Sequence, residues 1–549
     1  MSCGCRSLRA HPWLLVLAVG LPVVEALILG VVGTAGAQAL APQATAPAPF
    51  GVFHDLRWLL VFHSSWLAFA LELSALVAVR SAITALLVRA AWPVAVPSPS
   101  PARLAGGSVL FTLVSAAVLA PFAALLLGMA VVSLSWLFFV AVPSAAAVAM
   151  LLHHGAVVPT WWRERPPDRT VGWVLLTFLV LTLASAAIVL VPGPLRPLAV
   201  AATGLFNAWA WHGIVHTLCC GERSRRLLPV VPPVGVAGLL AVVVLGGSVG
   251  YAVATREDDV TRVVQETPAD LGRPVLWVAG FGSDYTGDDG PAATAQERRF
   301  SYAGSVGDGH PRPYREVDTY QDLSRSVALM AEQIDAFHAT VDSPITIVAE
   351  SEGALVAKMY LMSHGDAPVD ALVVLSPLVE PGAAYYPPAG REGWGVASGV
   401  GLQWISTFIR AVTPLEITAG DGLFRSLIDD APALRGLLAC PVGGVEQLVV
   451  LPLADAVVGP EQLDGLDGDV IPAFHGGLAG DGAVLASIRE ALDGDEARQD
   501  GLWETTDTII RAGAAAWRVP TLPLSVNPAW EEADEVADCD DIANLFAGW

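Results

Sequence analysis

Ile345-Thr346-Ile347-Val348-Ala349-Glu350-Ser351-Glu352-Gly353 is the stretch on which the fold of the C-terminal half turns. Residues 345–349 (ITIVA) form a short, continuous apolar run rich in β-branched side chains, which predicts a buried strand. The residues after Ser351, through Met362, predict a helix. A serine at such a strand-to-helix corner is lifted above the sheet. Small residues two positions before and two after it, here Ala349 and Gly353, let neighbouring backbones approach. The first of these is Ala where Gly is usual.

Working outward, strand-like runs recur at 274–279 (PVLWVA), 371–375 (ALVVL) and 447–451 (QLVVL). Between them lie helical patterns. In 317–341 the apolar positions Leu323, Val327, Met330, Ile334 and Phe337 recur at helical spacing, and 481–492 is a late amphipathic helix. Apolar strands alternating with helices predict a mainly parallel sheet covered on both faces. A serine nucleophile needs a base and an acid that orients the base. Asp455 follows the strand 447–451, and His475 precedes the late helix in a Gly-rich turn. His310, His338 and His364 compete with His475, and Asp464, Asp467 and Asp469 compete with Asp455.

With its strand-turn-helix setting and its order Ser, Asp, His, the region 274–492 resembles the α/β-hydrolase superfamily, in its esterase and lipase-like branches. The resemblance implies Ser351 as nucleophile, His475 as general base and then acid, and Asp455 as the group that orients the imidazole. It also implies an oxyanion hole made by the backbone N–H of Glu352 and that of Phe281, in Gly280-Phe281-Gly282. The histidine that often precedes such a glycine is replaced by Ala279. No cofactor and no metal are expected; Asp284, Asp288 and Asp289 lack the spacing of an EF-hand loop. Glu350 and Glu352 read either as solvated surface carboxylates or as groups that disfavour anionic substrates and raise the affinity of His475 for its proton. An insertion at about 380–445, with Tyr385, Tyr386, Trp394 and Trp404, corresponds to the family's cap. A C-terminal extension, 501–549, carries an apolar helix near 508–516 and is expected to dock on the hydrolase-like domain.

The other half is of a different kind. The 549-residue chain has 54% hydrophobic residues, only 15% charged residues and a mean hydropathy of +0.55, too apolar for an ordinary soluble protein. Residues 1–255 hold 13 Arg, no Lys and 6 acidic residues, a balance of +7, while the remainder has a balance of −30. So acidic a domain repels phosphate, which excludes nucleic acid as a partner. Regular apolar patterns exclude disorder in the C-terminal half. Seven segments have the roughly 20 apolar residues that a bilayer crossing requires: 13–36, 58–79, 106–127, 129–152, 171–191, 198–219 and 228–254. The third and fourth form one uncharged run, with Gly128 as the expected turn. The first is also open to reading as a signal peptide, behind Arg6 and Arg9. The chain therefore reads as a multi-span helical domain (1–255) in the cell membrane, an α/β domain (256–500) and the extension.

Arginine placement orients the spans. With the N-terminus in the cytoplasm, the inner segments carry Arg6, Arg9, Arg80, Arg89, Arg103, Arg163, Arg165, Arg169, Arg223, Arg225 and Arg226, against Arg57 and Arg196 outside. Seven crossings then place the α/β domain outside the cytoplasm. There Cys440 and Cys539 meet oxidising conditions and are able to pair, while Cys3, Cys5, Cys219 and Cys220 stay on the reducing side. Glu25 and Glu72 lie deep in the first two spans, where a charge is costly, and read as a proton site or as paired or protonated groups that fix helix packing. His212 and His216 share a helix face near the inner end, and His153 and His154 end another span; a metal or haem site competes with interfacial histidines there.

These features point to a membrane-anchored, extracytoplasmic serine hydrolase of carboxylic esters, with the bilayer and a hydrophobic ester as its partners. An acyltransferase with the same triad, and a non-catalytic seven-span sensor or transporter component, are the alternatives. A reporter active only in the cytoplasm, fused after Ala254, is expected to be silent; activity would reverse the orientation.

Overall fold

The structure is a computed structural model that describes residues 11–32, 34–132, 136–220, 271–287, 296–307, 309–379, 381–412, 418–453, 468–473, 475–476, 478–493, 501–520 and 538–546. Its N-terminal half is an apolar helical region: α1 (Pro12–Val31), α2 (Phe50–Val61), α3 (Trp66–Ala91), α4 (Pro101–Val132), α5 (Trp136–Leu152), α6 (Asp168–Leu190) and α7 (Arg196–Cys220). Among the described residues five helices are long and apolar enough to cross a membrane: α1, α3, α4, α6 and α7. The expected span 228–254 lies outside the described residues.

Two expected spans are redrawn. The segment 58–79 is broken at 62–65, because Ser65 caps α3 by accepting a hydrogen bond from the Ala68 N–H at 3.1 Å. What precedes the break, α2, is only 12 residues, about 18 Å of helix, and is buried on nearly every side. It is a packed element inside the bundle, not a crossing. The turn expected at Gly128 is also displaced. Helix α4 runs through Gly128 to Val132, and the bare glycine lets Leu402 approach; an added Cβ would lie 3.3 Å from its Cδ2. Helix α5 is consequently left with 17 residues, about 26 Å, short of a full bilayer core.

Two arginines counted as loop charges are buried within the bundle. Arg80 lies inside α3 and donates from Nε to Asp55 at 2.7 Å and from Nη2 to the other carboxylate oxygen at 2.5 Å. Arg57 on α2 is fully buried, and its guanidinium donates to Gln43 Oε1 and to the carbonyls of Ala516 and Arg518. His153 and His154 are buried too, against the carbonyls of Met150, Trp161 and Glu164. His212 and His216 do share a helix face, with ring centroids 5.9 Å apart. No group of ligands able to hold a metal is found among the described residues.

The C-terminal half contains one parallel sheet: β1 (Val275–Val278), β2 (Glu297–Arg299), β3 (Ile345–Glu350), β4 (Val369–Leu375), β5 (Glu446–Pro452) and β6 (Asp469–Ile471), in the order β2-β1-β3-β4-β5-β6. The strand periodicity of two divides its side chains between two cores. Leu276, Val278, Ile347, Ala349, Leu372 and Val374 face α8 (Leu323–His338) and α9 (Glu352–Ser363). Val275, Trp277, Val348, Val373 and Val450 face Val484, Leu485 and Ile488 of a later helix, Gly482–Leu492. Both faces are covered, as the apolar strands require.

Between β4 and β5 the insertion folds into α10 (Val396–Val412), α11 (Gly422–Asp429) and α12 (Ala431–Leu437). It joins the sheet region to the helical region. The Gly382 and Ala383 N–H groups donate to the carbonyls of Val131 and Ala130 at the end of α4, at 2.9 and 3.0 Å. Gly395 N–H donates to the His63 carbonyl at 2.8 Å, and Ala397 N–H to His63 Nε2 at 2.9 Å. After the helix Gly482–Leu492, here α13, come α14 (Gly501–Ala514) and α15 (Cys539–Phe546). The extension reaches both regions. Ile542 and Phe546 of α15 are buried in the sheet's core. Trp517, by contrast, enters the helical region, donates to Thr182 Oγ1 at 2.8 Å and stacks on Phe178 with centroids 4.7 Å apart.

Cys440, just after α12, is bonded to Cys539 at the start of α15, with Cα atoms 5.4 Å apart and 99 positions between them. That distance is within the bridging limit of about 7 Å. A crosslink closing so long a loop constrains the unfolded chain and stabilises by about 2–4 kcal/mol. Replacing both cysteines by serine is expected to lower the unfolding midpoint of the full chain, and the reduced wild type should behave alike. An unchanged midpoint in both would show that the bridge adds no stability.

Candidate active site

Strand β3 delivers Ser351 in a conformation that L residues seldom adopt, φ +57° and ψ −121°, immediately before α9 begins at Glu352. Holding a non-glycine residue there costs about 1–3 kcal/mol, so the surroundings must impose it. Its N–H donates to the Leu375 carbonyl at 2.9 Å, which ties the corner to the end of β4. On the other side is the end of β1. A Cβ added to Gly280 would lie 2.6 Å from Ser351 Cβ and 3.2 Å from its Oγ. A Cβ on Gly353 would lie 2.8 Å from the carbonyl oxygens of Val278 and Ala279. The two glycines therefore let β1 and the corner close on each other.

This place has a topological meaning. From β1 the chain passes to β2 on one side of the sheet and then to β3 on the other, so the strand order reverses between β1 and β3. Parallel α/β sheets bind ligands outside the carboxyl ends of their strands at such a reversal. Gly280 and Ser351 both stand there.

His475 follows β6, and its Nε2 lies 2.8 Å from Ser351 Oγ, across 124 positions of sequence. The competing histidines lie elsewhere: His364 stacks on Tyr360 at the end of α9, and His338 ends α8. Asp455, the expected orienting acid, lies outside the described residues, with its rivals Asp464 and Asp467. Asp469 is on β6 and lines a surface cavity of about 290 Å³ with Asp481 and Glu504.

The two expected oxyanion donors flank the corner. Glu352 is the first residue of α9, so its N–H belongs to a helix N-terminus, which favours negative charge. The loop bearing Phe281 is fixed on several sides. Tyr302 OH donates to the Ala279 carbonyl at 2.7 Å, Gly282 N–H donates to Thr319 Oγ1 at 2.9 Å, and the Phe281 ring stacks on Tyr320 with centroids 4.7 Å apart. These supports (Tyr302, Thr319 and Tyr320) left no signal in the local sequence, since they come from a turn after β2 and a short helical turn, Glu316–Tyr320, remote from the motif.

The flanking glutamates are not surface groups. Glu350 is 5% exposed, and its Oε1 accepts from the Leu478 N–H at 3.3 Å, bracing the turn that carries His475. Glu352 is wholly buried, and neither carboxyl oxygen has a hydrogen-bond partner among the described residues. Burial holds its carboxyl well above the ordinary carboxylate range. Burial therefore favours its protonated form and opposes a negative charge beside Ser351.

Because the folded state holds this proton more tightly than the unfolded state, the folded protein binds more protons above the ordinary glutamate value of about 4.3. Its stabilising contribution is complete below that value and is lost as pH rises toward the raised folded value. Glu352→Gln is expected to remove this dependence, so that the variant melts higher than wild type at pH 8 relative to pH 5. Parallel melting curves at both pH values would count against a raised proton affinity of Glu352. No family model, curated protein or solved structure matches the chain, so the pairing of Ser351 with His475 stands on its own geometry.

Proposed function

We propose that the protein is a membrane-anchored, extracytoplasmic serine hydrolase acting on carboxylic esters, of the α/β-hydrolase type. The observation that carries this reading is the 2.8 Å approach of His475 Nε2 to Ser351 Oγ, at a left-handed corner on the sheet's switch point. In the first step His475 takes the hydroxyl proton as Ser351 Oγ attacks the ester carbonyl. The Glu352 and Phe281 N–H groups stabilise the negative oxygen of the tetrahedral intermediate. His475 then returns the proton to the departing alkoxide, leaving an acyl-enzyme on Ser351. Water, deprotonated by the same imidazole, attacks the acyl carbon and releases the acid. Asp455, expected after β5, has the role of orienting the imidazole and stabilising its charged form.

The membrane setting favours a lipid or other hydrophobic ester. The insertion 380–445 bonds directly to the helical region through Gly382, Ala383 and Gly395, and its Phe424 ring packs 5.5 Å from that of Phe281, so the element beside the site is anchored to the bundle. Two observations support the extracytoplasmic side. The disulfide suits an oxidising compartment. The insertion also meets α4 at its C-terminal end, whereas α1 begins beside the end of α3, where His11 Nδ1 lies 2.8 Å from the Ala90 carbonyl. Counting α1, α3 and α4 as crossings, these contacts lie at opposite ends of the bundle.

A fluorophosphonate probe is expected to label wild-type protein on Ser351. Ser351→Ala should abolish labelling, and His475→Ala should slow it by about a thousandfold or more. Absence of labelling in folded wild type, or equal labelling of Ser351→Ala, would favour a non-catalytic binding domain.

A further inference from the structure

Helix α10 of the insertion leaves an apolar face bare. Val396, Ser398 and Ser406 are buried, whereas Trp404 and Phe408, one turn apart, are 75% and 47% exposed. Thr407 and Ala411 lie on the same face and are exposed as well. Two positions along a helix are roughly 200° apart around it. Trp404 therefore points away from Leu402, the side chain that meets Gly128 of α4.

The contacts of α10 fix its level along the bundle. The N–H groups of Gly395 and Ala397 bond to His63, and Ser398 Oγ donates to the Leu60 carbonyl. Leu402 reaches a glycine four residues, about 6 Å, short of the end of α4 at Val132. His63 stands three residues before the start of α3 at Trp66. The helix is therefore level with the rim of the bundle and with the first turn of α3, which it touches.

That rim has the marks of a bilayer surface. Trp66 opens α3 and Trp92 follows its end. The 26 residues between them span about 39 Å, close to the roughly 40–45 Å of a bilayer with its headgroup regions. Tryptophans gather at both of these boundaries. Leu67 and Leu71, in the first two turns of α3, are 70% and 62% exposed, on a helix long and apolar enough to cross a membrane. The aromatic rim then continues into the insertion. The Phe62 ring, just before α3, meets that of Trp394, just before α10, with centroids 6.4 Å apart.

We propose that α10 is an interfacial helix, lying in the bilayer surface with Trp404, Phe408 and Ala411 at the boundary between headgroups and acyl chains. Its bare face continues the lipid-facing surface of α3, and this continuity selects lipid over a protein as the occupant. Arg410, exposed beside that face, is long enough to carry its guanidinium to lipid phosphate. Through α11, whose Phe424 packs on Phe281, the helix holds the edge of the Ser351 site at the level where ester lipids lie. The inference rests on the helical region spanning a membrane and on no chemistry at Ser351.

The test places one nitroxide label at a time on the full chain in phosphatidylcholine nanodiscs, with Cys3, Cys5, Cys219 and Cys220 replaced by Ser. Labels go on Thr407→Cys, on Leu71→Cys as the lipid reference and on Glu490→Cys, exposed on α13, as the water reference. Molecular oxygen concentrates in lipid, and a nickel chelate stays in water. Oxygen is expected to relax the Thr407 label several-fold more than nickel does, as at Leu71, with the reverse at Glu490. If Thr407→Cys does not fold, Ala411→Cys reports on the same face. A nickel-dominated label on α10 beside an oxygen-dominated one at Leu71 would put the face in water and overturn the proposal. Shielding of the α10 label from both reagents would put protein over it and overturn the proposal equally. Nickel dominance at Leu71 as well would overturn the membrane reading on which it rests.

Discussion

The close approach of Gly280 to Ser351 is the constraint around which the C-terminal region is organised. Strand β3 must end in a left-handed corner, and only a backbone without a Cβ at the end of β1 leaves room for it. The corner is held from the far side by the Leu375 carbonyl and is followed at once by a helix N-terminus. The reversal of strand order at the same place opens the sheet edge above it. A strained residue, a gap in the overlying helices and a donor-rich helix end therefore coincide without any one of them having to be arranged separately.

Charge is handled by opposite means in the two halves. Around the corner, Glu352 is enclosed without a polar partner among the described residues, and burial raises its affinity for its proton. In the helical region, Asp55, Arg80, His54 and Glu25 are accommodated by pairing in a chain of hydrogen bonds. The first solution limits negative charge next to the Ser351 hydroxyl. The second keeps polar contacts inside an apolar bundle at little net charge.

Much of this was legible in the residues. The apolar runs at 274–279, 345–349, 371–375 and 447–451 each mark a strand, because a sheet covered on both faces needs no polar alternation. Strand β2, Glu297–Arg299, was invisible for the converse reason: as three charged residues at an edge it has no apolar pattern, and its pairing comes from β1 alone. Ser351 was readable from its small neighbours, and His475 from its Gly-rich turn before the late helix, although the strand it follows, β6, is only three residues long and gave no apolar run. Glu350 and Glu352 were misread as candidates for solvent exposure because charge in a sequence normally means surface, while here the turn around His475 and the core under α9 enclose them. In the helical half, hydropathy found the spans but blurred α2 into α3, since Phe62 and the apolar residues around it conceal the short break that Ser65 caps.

Arg57 has a partner that arrives late. Its guanidinium, fully enclosed in the bundle, donates to the carbonyl of Arg518, 461 positions further along the chain. While a ribosome is still making the α/β region, that donor has only part of its final set of acceptors, and the slot that Trp517 fills between Phe50, Phe53 and Phe178 stands open. The helical region thus cannot reach its finished packing as an autonomous module inserted first. Its last piece comes from some 460 positions further along the polypeptide, so maturation of the helical region waits until the segment around Trp517 has been made.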